Sequence, residues 1–207
     1  MKYLNKHRLF FVLLLTLFLT LSISYAKSVS NDISNSVFRL HIVANSDSAE
    51  DQALKLSIRD RLMRECGFLF ENADTAQTAA KIADKNLNQI CKIAQAEVDS
   101  QGYDYKVCAK VGKFAFPTKS YKDITLPSGK YTALRIEIGE ASGKNWWCVM
   151  YPPLCLTDGI ISCPESSKEK LKNSLTDEEY RLVTRENSKS IPVEVRFKIV
   201  EIFQNIF

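Results

Sequence analysis

Residues 145–155, Asn-Trp-Trp-Cys-Val-Met-Tyr-Pro-Pro-Leu-Cys, constrain the fold most, because both tryptophans of the chain are adjacent and the run stops on two prolines. In an extended segment neighbouring side chains face opposite ways, so Trp146 and Trp147 cannot enter the same core. The run Trp146 to Tyr151 is aromatic, sulfur-containing or β-branched, as in a strand covered on both faces. Pro152 and Pro153 cannot donate to a ladder and end it. Two readings stand. One is a buried core strand with a rigid exit; the other makes the Trp pair, the Pro-Pro corner and the flanking Cys148 and Cys155 a shaped recognition surface.

At the other end of the chain, Lys2, Lys6 and Arg8 precede an apolar run from Leu9 to Ile23, and Ser24-Tyr25-Ala26 places small residues at the −3 and −1 positions of a cleavage site. That order reads as a secretory signal peptide over 1–26. The apolar run is short against the roughly twenty residues of a bilayer span, so cleavage after Ala26 is expected, with an uncleaved anchor as the alternative. Removing this segment leaves 25 basic and 24 acidic residues, a net charge of +1. A near-neutral, sign-mixed surface gives no footprint for nucleic acid. Residues 27–207 are enough for one sizeable core and are expected to form a single domain.

Strand-like and helix-like segments alternate along that domain. Val37 to Val43 sets Leu40 and Ile42 against Arg39 and His41, which predicts a strand with one polar face. Asn45-Ser46-Asp47 reads as a turn, and Ser48 with Asp51 as a helix cap before the stripe Ala53, Leu54, Ile58, Leu62 and Met63, which stops near Gly67. A second, long helix is expected from Asp74 and Gln77 to Gly102. From Tyr103 the period switches to two, predicting a half-exposed strand to Pro117; Pro127-Ser128-Gly129 turns into a strand over Thr132 to Ile138, and Ala141 to Lys144 turns into the Trp-Trp strand, as in an antiparallel meander. Thr176 with Glu179 caps a short helix, and Ser190 with Pro192 opens a C-terminal one. The expected class is α+β, helices packed on a mostly antiparallel sheet.

Catalytic chemistry is thin. His41 is the one histidine left after removal of the signal segment, so a nucleophile pair would have to join it with a Cys, such as Cys148, or with a carboxylate. Zinc, redox-motif and phosphate-loop spacings are missing, so no metal or cofactor is expected, nor is any small-molecule substrate evident. The carboxylates Glu50-Asp51 and Asp177-Glu178-Glu179 fall in first helical turns, where the helix dipole accounts for them. Six cysteines in an exported chain invite disulfides. A Cys148–Cys155 pair would hold the Pro-Pro exit in place, while Cys91 lies on an apolar stripe and reads as a buried thiol.

The stretch Arg39-Leu40-His41-Ile42-Val43-Ala44-Asn45-Ser46-Asp47-Ser48-Ala49-Glu50-Asp51-Gln52-Ala53-Leu54-Lys55, the Ala133 to Glu140 strand and the Trp-Trp-Cys to Pro-Pro-Leu-Cys segment resemble stage II sporulation protein R of endospore-forming bacteria. The resemblance implies a signalling protein secreted from the forespore into the space between forespore and mother-cell membranes. There it would trigger a membrane-embedded aspartic protease of the mother cell, which cleaves the pro-sequence from a sigma-factor precursor. It implies no catalytic residue. Contact candidates are then Trp146, Trp147, Pro152, Pro153, Asn45, Ser46 and Asp47, aromatic anchors being common at binding hot spots. An exported envelope hydrolase is the competing class, and it would need a base and nucleophile converging in one cleft.

Overall fold

The computed structural model describes residues 2–121, 123–154 and 164–184. Helix α1 (Lys2–Asn35) leads into strand β1 (Phe38–Val43), helix α2 (Ala49–Cys66), a 3-10 turn (Gly67–Phe70), and helices α3 (Ala76–Lys85) and α4 (Leu87–Ser100). Strands β2 (Val107–Phe116), β3 (Lys119–Tyr121), β4 (Ile124–Leu126), β5 (Gly129–Ile138) and β6 (Asn145–Tyr151) follow, then α5 (Glu165–Asn173) and α6 (Asp177–Val183). The class is α+β, as expected. The proposed C-terminal helix from Ser190 lies outside the described residues, as does Cys155.

Four strands form a mixed sheet in the order β2-β5-β1-β6, and β3 pairs with β4 in a separate hairpin. β2 with β5 and β1 with β6 are antiparallel, whereas β1 and β5 are parallel. The expected meander is therefore wrong in one respect: β5 and β6 are not neighbours. β1 lies between them, and the connection from Gly139 to Lys144 crosses the exit of β1 instead of closing a hairpin.

Both faces of the sheet are covered, and each carries its own core. On one face Leu40, Ile42, Leu134, Ile136, Cys148 and Met150 meet Leu54, Ile58 and Leu62 of α2, Ala79 and Ala83 of α3, and Ile90, Ala94 and Val98 of α4. On the other, Ala133, Tyr131, Phe116 and Val149 meet Ile33 at the end of α1, Ile124 and Leu126 of the hairpin, Leu171 of α5, and Tyr180 and Val183 of α6. This second layer covers the face of β1 that was read as polar. All six of its residues are buried, Arg39 and His41 included. Alternation of charge along a strand marks which face a residue occupies, and here that face is roofed.

The caps at Ser48 and Thr176 stand as expected: Asp51 N–H donates to the Ser48 hydroxyl, and Thr176 with Glu179 forms a full capping box. The long second helix does not. Asn86 leaves helical geometry (φ −102°, ψ 12°) and its amide donates to the Ile82 carbonyl at 2.8 Å, splitting the run into α3 and α4. Thr75, rather than Asp74, caps α3.

Helix α1 carries the apolar N-terminal run, and Lys6–Asn35 is long and apolar enough to cross a membrane by length and composition. Leu9, Phe10, Phe11, Leu17 and Phe18 are exposed. The same helix continues past Ala26 and changes character, with Val29 packed against the second core and Ile33 fully buried in it. The signal-like part and the folded body thus share one helix, and the residues after Ala26 belong to the domain. Ile33→Ala in a chain starting at Lys27 is expected to cost about 2–5 kcal/mol, as truncation of a buried side chain does. Denaturant unfolding checks it, and an unchanged midpoint would show that this turn does not pack on the sheet.

Candidate partner-binding site

The loop that crosses β1 organises the site. Because β6 skips over β1, residues 139–144 must pass across the strand's C-terminal exit at Ala44 to Asp47, and the two backbones approach closely. Gly139 sits at φ +56°, where a Cβ would stand 2.3 Å from Asn45 Oδ1; a Cβ on Gly143 would stand 2.1 Å from the Ser46 carbonyl oxygen. Both positions need the missing side chain.

Asn45 and Asp47, with the Ala44 carbonyl before them, hold that crossing. Asn45 Oδ1 accepts from Glu140 N–H at 2.9 Å, and its carbonyl accepts from Ser142 N–H at 3.1 Å and the Ser142 hydroxyl at 2.6 Å. Gly143 N–H donates to the Ala44 carbonyl at 3.0 Å, and Lys144 N–H to Asp47 Oδ1 at 2.6 Å. Beneath the turn, Asp51 accepts from Asn45 Nδ2 at 2.9 Å and from the Ser46 hydroxyl at 2.6 Å. Burial works to raise the Asp51 carboxyl, but the hydrogen bonds from Ser46 and Asn45 outweigh it and hold it below its ordinary range. Asp51 is therefore a buried acceptor as well as a first-turn charge. Gln52 donates to the Ser46 carbonyl at 2.8 Å, and the buried Lys55 ammonium donates to Gln52 Oε1 at 2.5 Å and the Lys144 carbonyl at 3.1 Å. Burial pushes the Lys55 pKa down.

The two tryptophans point to opposite faces, as extended backbone requires. Trp146 packs on the α2–α4 side, with the guanidinium of Arg59 4.3 Å from its ring centre. Trp147 packs on the other side, stacked on the His41 ring at 3.9 Å and tilted against Phe116 at 4.6 Å. Both are half-buried, so neither is wholly core nor wholly free. Asn145, exposed next to them, meets His41 Nε2 at 2.6 Å. Burial pushes the His41 pKa down to about 4, with Arg135 and Arg39 adding to the effect. One register step along β1, Arg39 is fully buried with its guanidinium 4.0 Å from the Phe116 ring centre and 4.6 Å from that of Tyr131, and it donates to the Tyr121 hydroxyl. The sequence places Arg39 and His41 on the polar face of a strand; the run of aromatics Phe114, Phe116, Tyr121 and Tyr131 was the available sign that this face is a ring-lined enclosure.

Trp146, Trp147, Asn45, Ser46 and Asp47 thus gather at one end of the sheet, while Pro152 and Pro153 lie at the other, where β6 pairs with Phe38. Pro152 is buried after a cis Tyr151–Pro152 bond, and Pro153 is exposed, its carbonyl accepting from the Ser167 hydroxyl at 2.8 Å. The Cys148–His41 dyad does not exist. Cys148 pairs in register with Leu40 and faces the α2–α4 core, whereas His41 pairs with Trp147 and faces the opposite side. Cys148 is disulfide-bonded, while Cys66, Cys91 and Cys108 are free thiols. Among the described residues no group of three His, Cys, Asp or Glu could hold a metal ion.

The histidine yields a pH prediction. Its folded pKa, about 4, lies below the ordinary 6.5, so the unfolded chain takes up the proton first and stability falls as pH drops from 6.5 towards 4. Thermal unfolding of the parent and of His41→Phe across that window should show a steeper loss in the parent. Parallel pH slopes would contradict a neutral, buried His41.

The family model for stage II sporulation protein R matches residues 34–160, which span β1, the crossing loop and β6. Stage II sporulation protein R of Bacillus subtilis (strain 168) is 33% identical over 180 residues, covering 82% of this chain and 80% of that protein. No solved structure matches. With the family model matching 127 of the 207 residues and a 33% identical relative covering 82% of the chain, this chain belongs to the stage II sporulation protein R family.

Proposed function

We propose that the chain is exported as a sporulation signal and works by binding. Its receptor is a membrane-embedded aspartic protease of the mother cell, and engagement switches on cleavage of a sigma-factor precursor. Family membership supports the sporulation role, and the apolar first part of α1 is compatible with a signal peptide or an anchor that delivers the domain to the space between the two membranes. The observation that carries the reading is how the motif residues are employed. Asn45, Asp47 and Lys55 are hydrogen-bonded to the crossing loop, Asp51 to the turn beneath it and His41 to Asn145 at the start of β6, so what the motif supplies is a rigid, shaped end of the sheet. Rigid backbone beside half-buried aromatics suits recognition, since little freedom is lost on binding. The contact candidates at that end are Trp147, the exposed Asn145 and Lys144, and Asp47 beside them; exposed Pro153 would serve a partner large enough to reach the opposite end.

The test is co-expression of the secreted chain with the protease and its precursor substrate in cells that lack this protein. Cleavage should appear only with the secreted form. Unchanged cleavage would contradict the signalling role, and N-terminal sequencing of the exported protein should give Lys27 as its first residue.

A further inference from the structure

Strand β2 forms one edge of the four-stranded sheet, and its free backbone points to a docking mode. Gly139 N–H donates to the Lys106 carbonyl at 2.9 Å, which fixes the phase of the ladder. Alternate residues from Lys106 on, Cys108, Lys110, Gly112 and Phe114, turn their N–H and C=O groups toward β5; Val107, Ala109, Val111, Lys113 and Ala115 turn theirs outward. Val107 shows what satisfies that edge where it is covered: its N–H donates to Gln95 Oε1 at 2.8 Å and its carbonyl accepts from Cys91 Sγ at 3.4 Å, both from α4. Beyond Val107 the outward groups of Ala109, Val111, Lys113 and Ala115 have no backbone or side-chain partner among the described residues. The pairing with β5 runs unbroken over ten residues, so no bulge blunts this edge.

The edge is also basic. No Asp or Glu lies between Tyr105 and Tyr121, while Lys106, Lys110, Lys113 and Lys119 are all exposed. Lys110 is paired with Glu137 at 2.8 Å; among the described residues Lys106, Lys113 and Lys119 have no ion pair. Lysines on an edge oppose pairing with a second copy, because antiparallel self-pairing sets like charges against each other. They favour an incoming strand of opposite charge.

We infer that the outward edge of β2, from Ala109 to Ala115, takes an extended segment of a partner protein bearing acidic side chains, which adds as a fifth strand. Backbone bonds to Ala109, Val111, Lys113 and Ala115 supply affinity, and Lys106 and Lys113 select the charge. The inference rests on the reading that this protein acts by binding; the segment would belong to the receptor.

Two measurements separate the two ideas. The first uses the exported protein and a soluble peptide alternating Glu and Thr, with a Lys-Thr peptide as counterpart. Exchange of the Ala109, Val111, Lys113 and Ala115 amides should slow at least tenfold with the Glu-Thr peptide only; no slowing, or equal slowing by both, overturns the inference without touching the signalling role. The second is precursor cleavage in the co-expression cells with Val111→Pro, which removes an outward N–H and no bond to β5, and with the double variant Lys106→Glu, Lys113→Glu. Each should lower cleavage at least tenfold with the unfolding midpoint retained. If Val111→Pro fails to fold, the double variant decides, and parent-level cleavage overturns the inference. A dimer in sedimentation that Val111→Pro disperses would make a second copy the occupant and overturn it as well.

Discussion

The crossing of residues 139–144 over the exit of β1 is the constraint on which the rest of the structure depends. A strand inserted between two others that follow each other in sequence forces their connection across its end. The crossing brings backbone against backbone, and its amides and carbonyls find partners there. Asn45, Asp47 and the Ala44 carbonyl supply them, and Gly139 and Gly143 provide the room. Each such bond contributes only about 0.5–1.5 kcal/mol net, so the crossing is held by several bonds acting together. Asp51 and Lys55, on the first turns of α2, tie the crossing to the helix layer.

The same insertion makes β1 central, and with a core packed on each face of the sheet the strand has no open side to offer its polar residues. Arg39 and His41 are accommodated by rings: the guanidinium lies over Phe116 and Tyr131, and the imidazole lies on Trp147. A guanidinium is weakly hydrated and stacks on aromatic faces, which makes it the cation best suited to such a position. The Trp pair follows from the same geometry. One indole serves each core, and each has a cationic or imidazole neighbour across its face, which leaves both half-buried near the end of the sheet where the crossing loop is fixed.

Much of this was legible from residues alone. The period-two strand ending before Pro117, the caps at Ser48 and Thr176, the alternation in β5 and the opposed tryptophans are local signals and were read correctly, although that strand begins at Val107 and not at Tyr103. Strand order was not, because pairing β1 in parallel with β5 depends on contacts far apart in sequence, and Ala141-Ser142-Gly143-Lys144 has the composition of an ordinary hairpin turn. The break at Asn86 was hidden because the apolar stripe continues across it, with Ala83 before and Ile90 after. Burial of Arg39 and His41 was missed since alternation tells which face a side chain takes, and only tertiary structure tells what covers it. Among the site candidates, Asn45, Ser46 and Asp47 were found through their turn chemistry, while Asp51 and Lys55, which hold that turn from below, looked like ordinary helix charges.

Native-state hydrogen exchange of the crossing-loop amides tests the account most directly. Glu140, Ser142, Gly143 and Lys144 lie in a loop with exposed side chains among them, yet their N–H groups donate to Asn45, Ala44 and Asp47. If the crossing is the fixed point of the sheet, these four amides exchange only through global unfolding, with protection matching that of β1. Exchange at the rate of an open surface loop, while β1 stays protected, would show that the crossing is not what holds the strands in place.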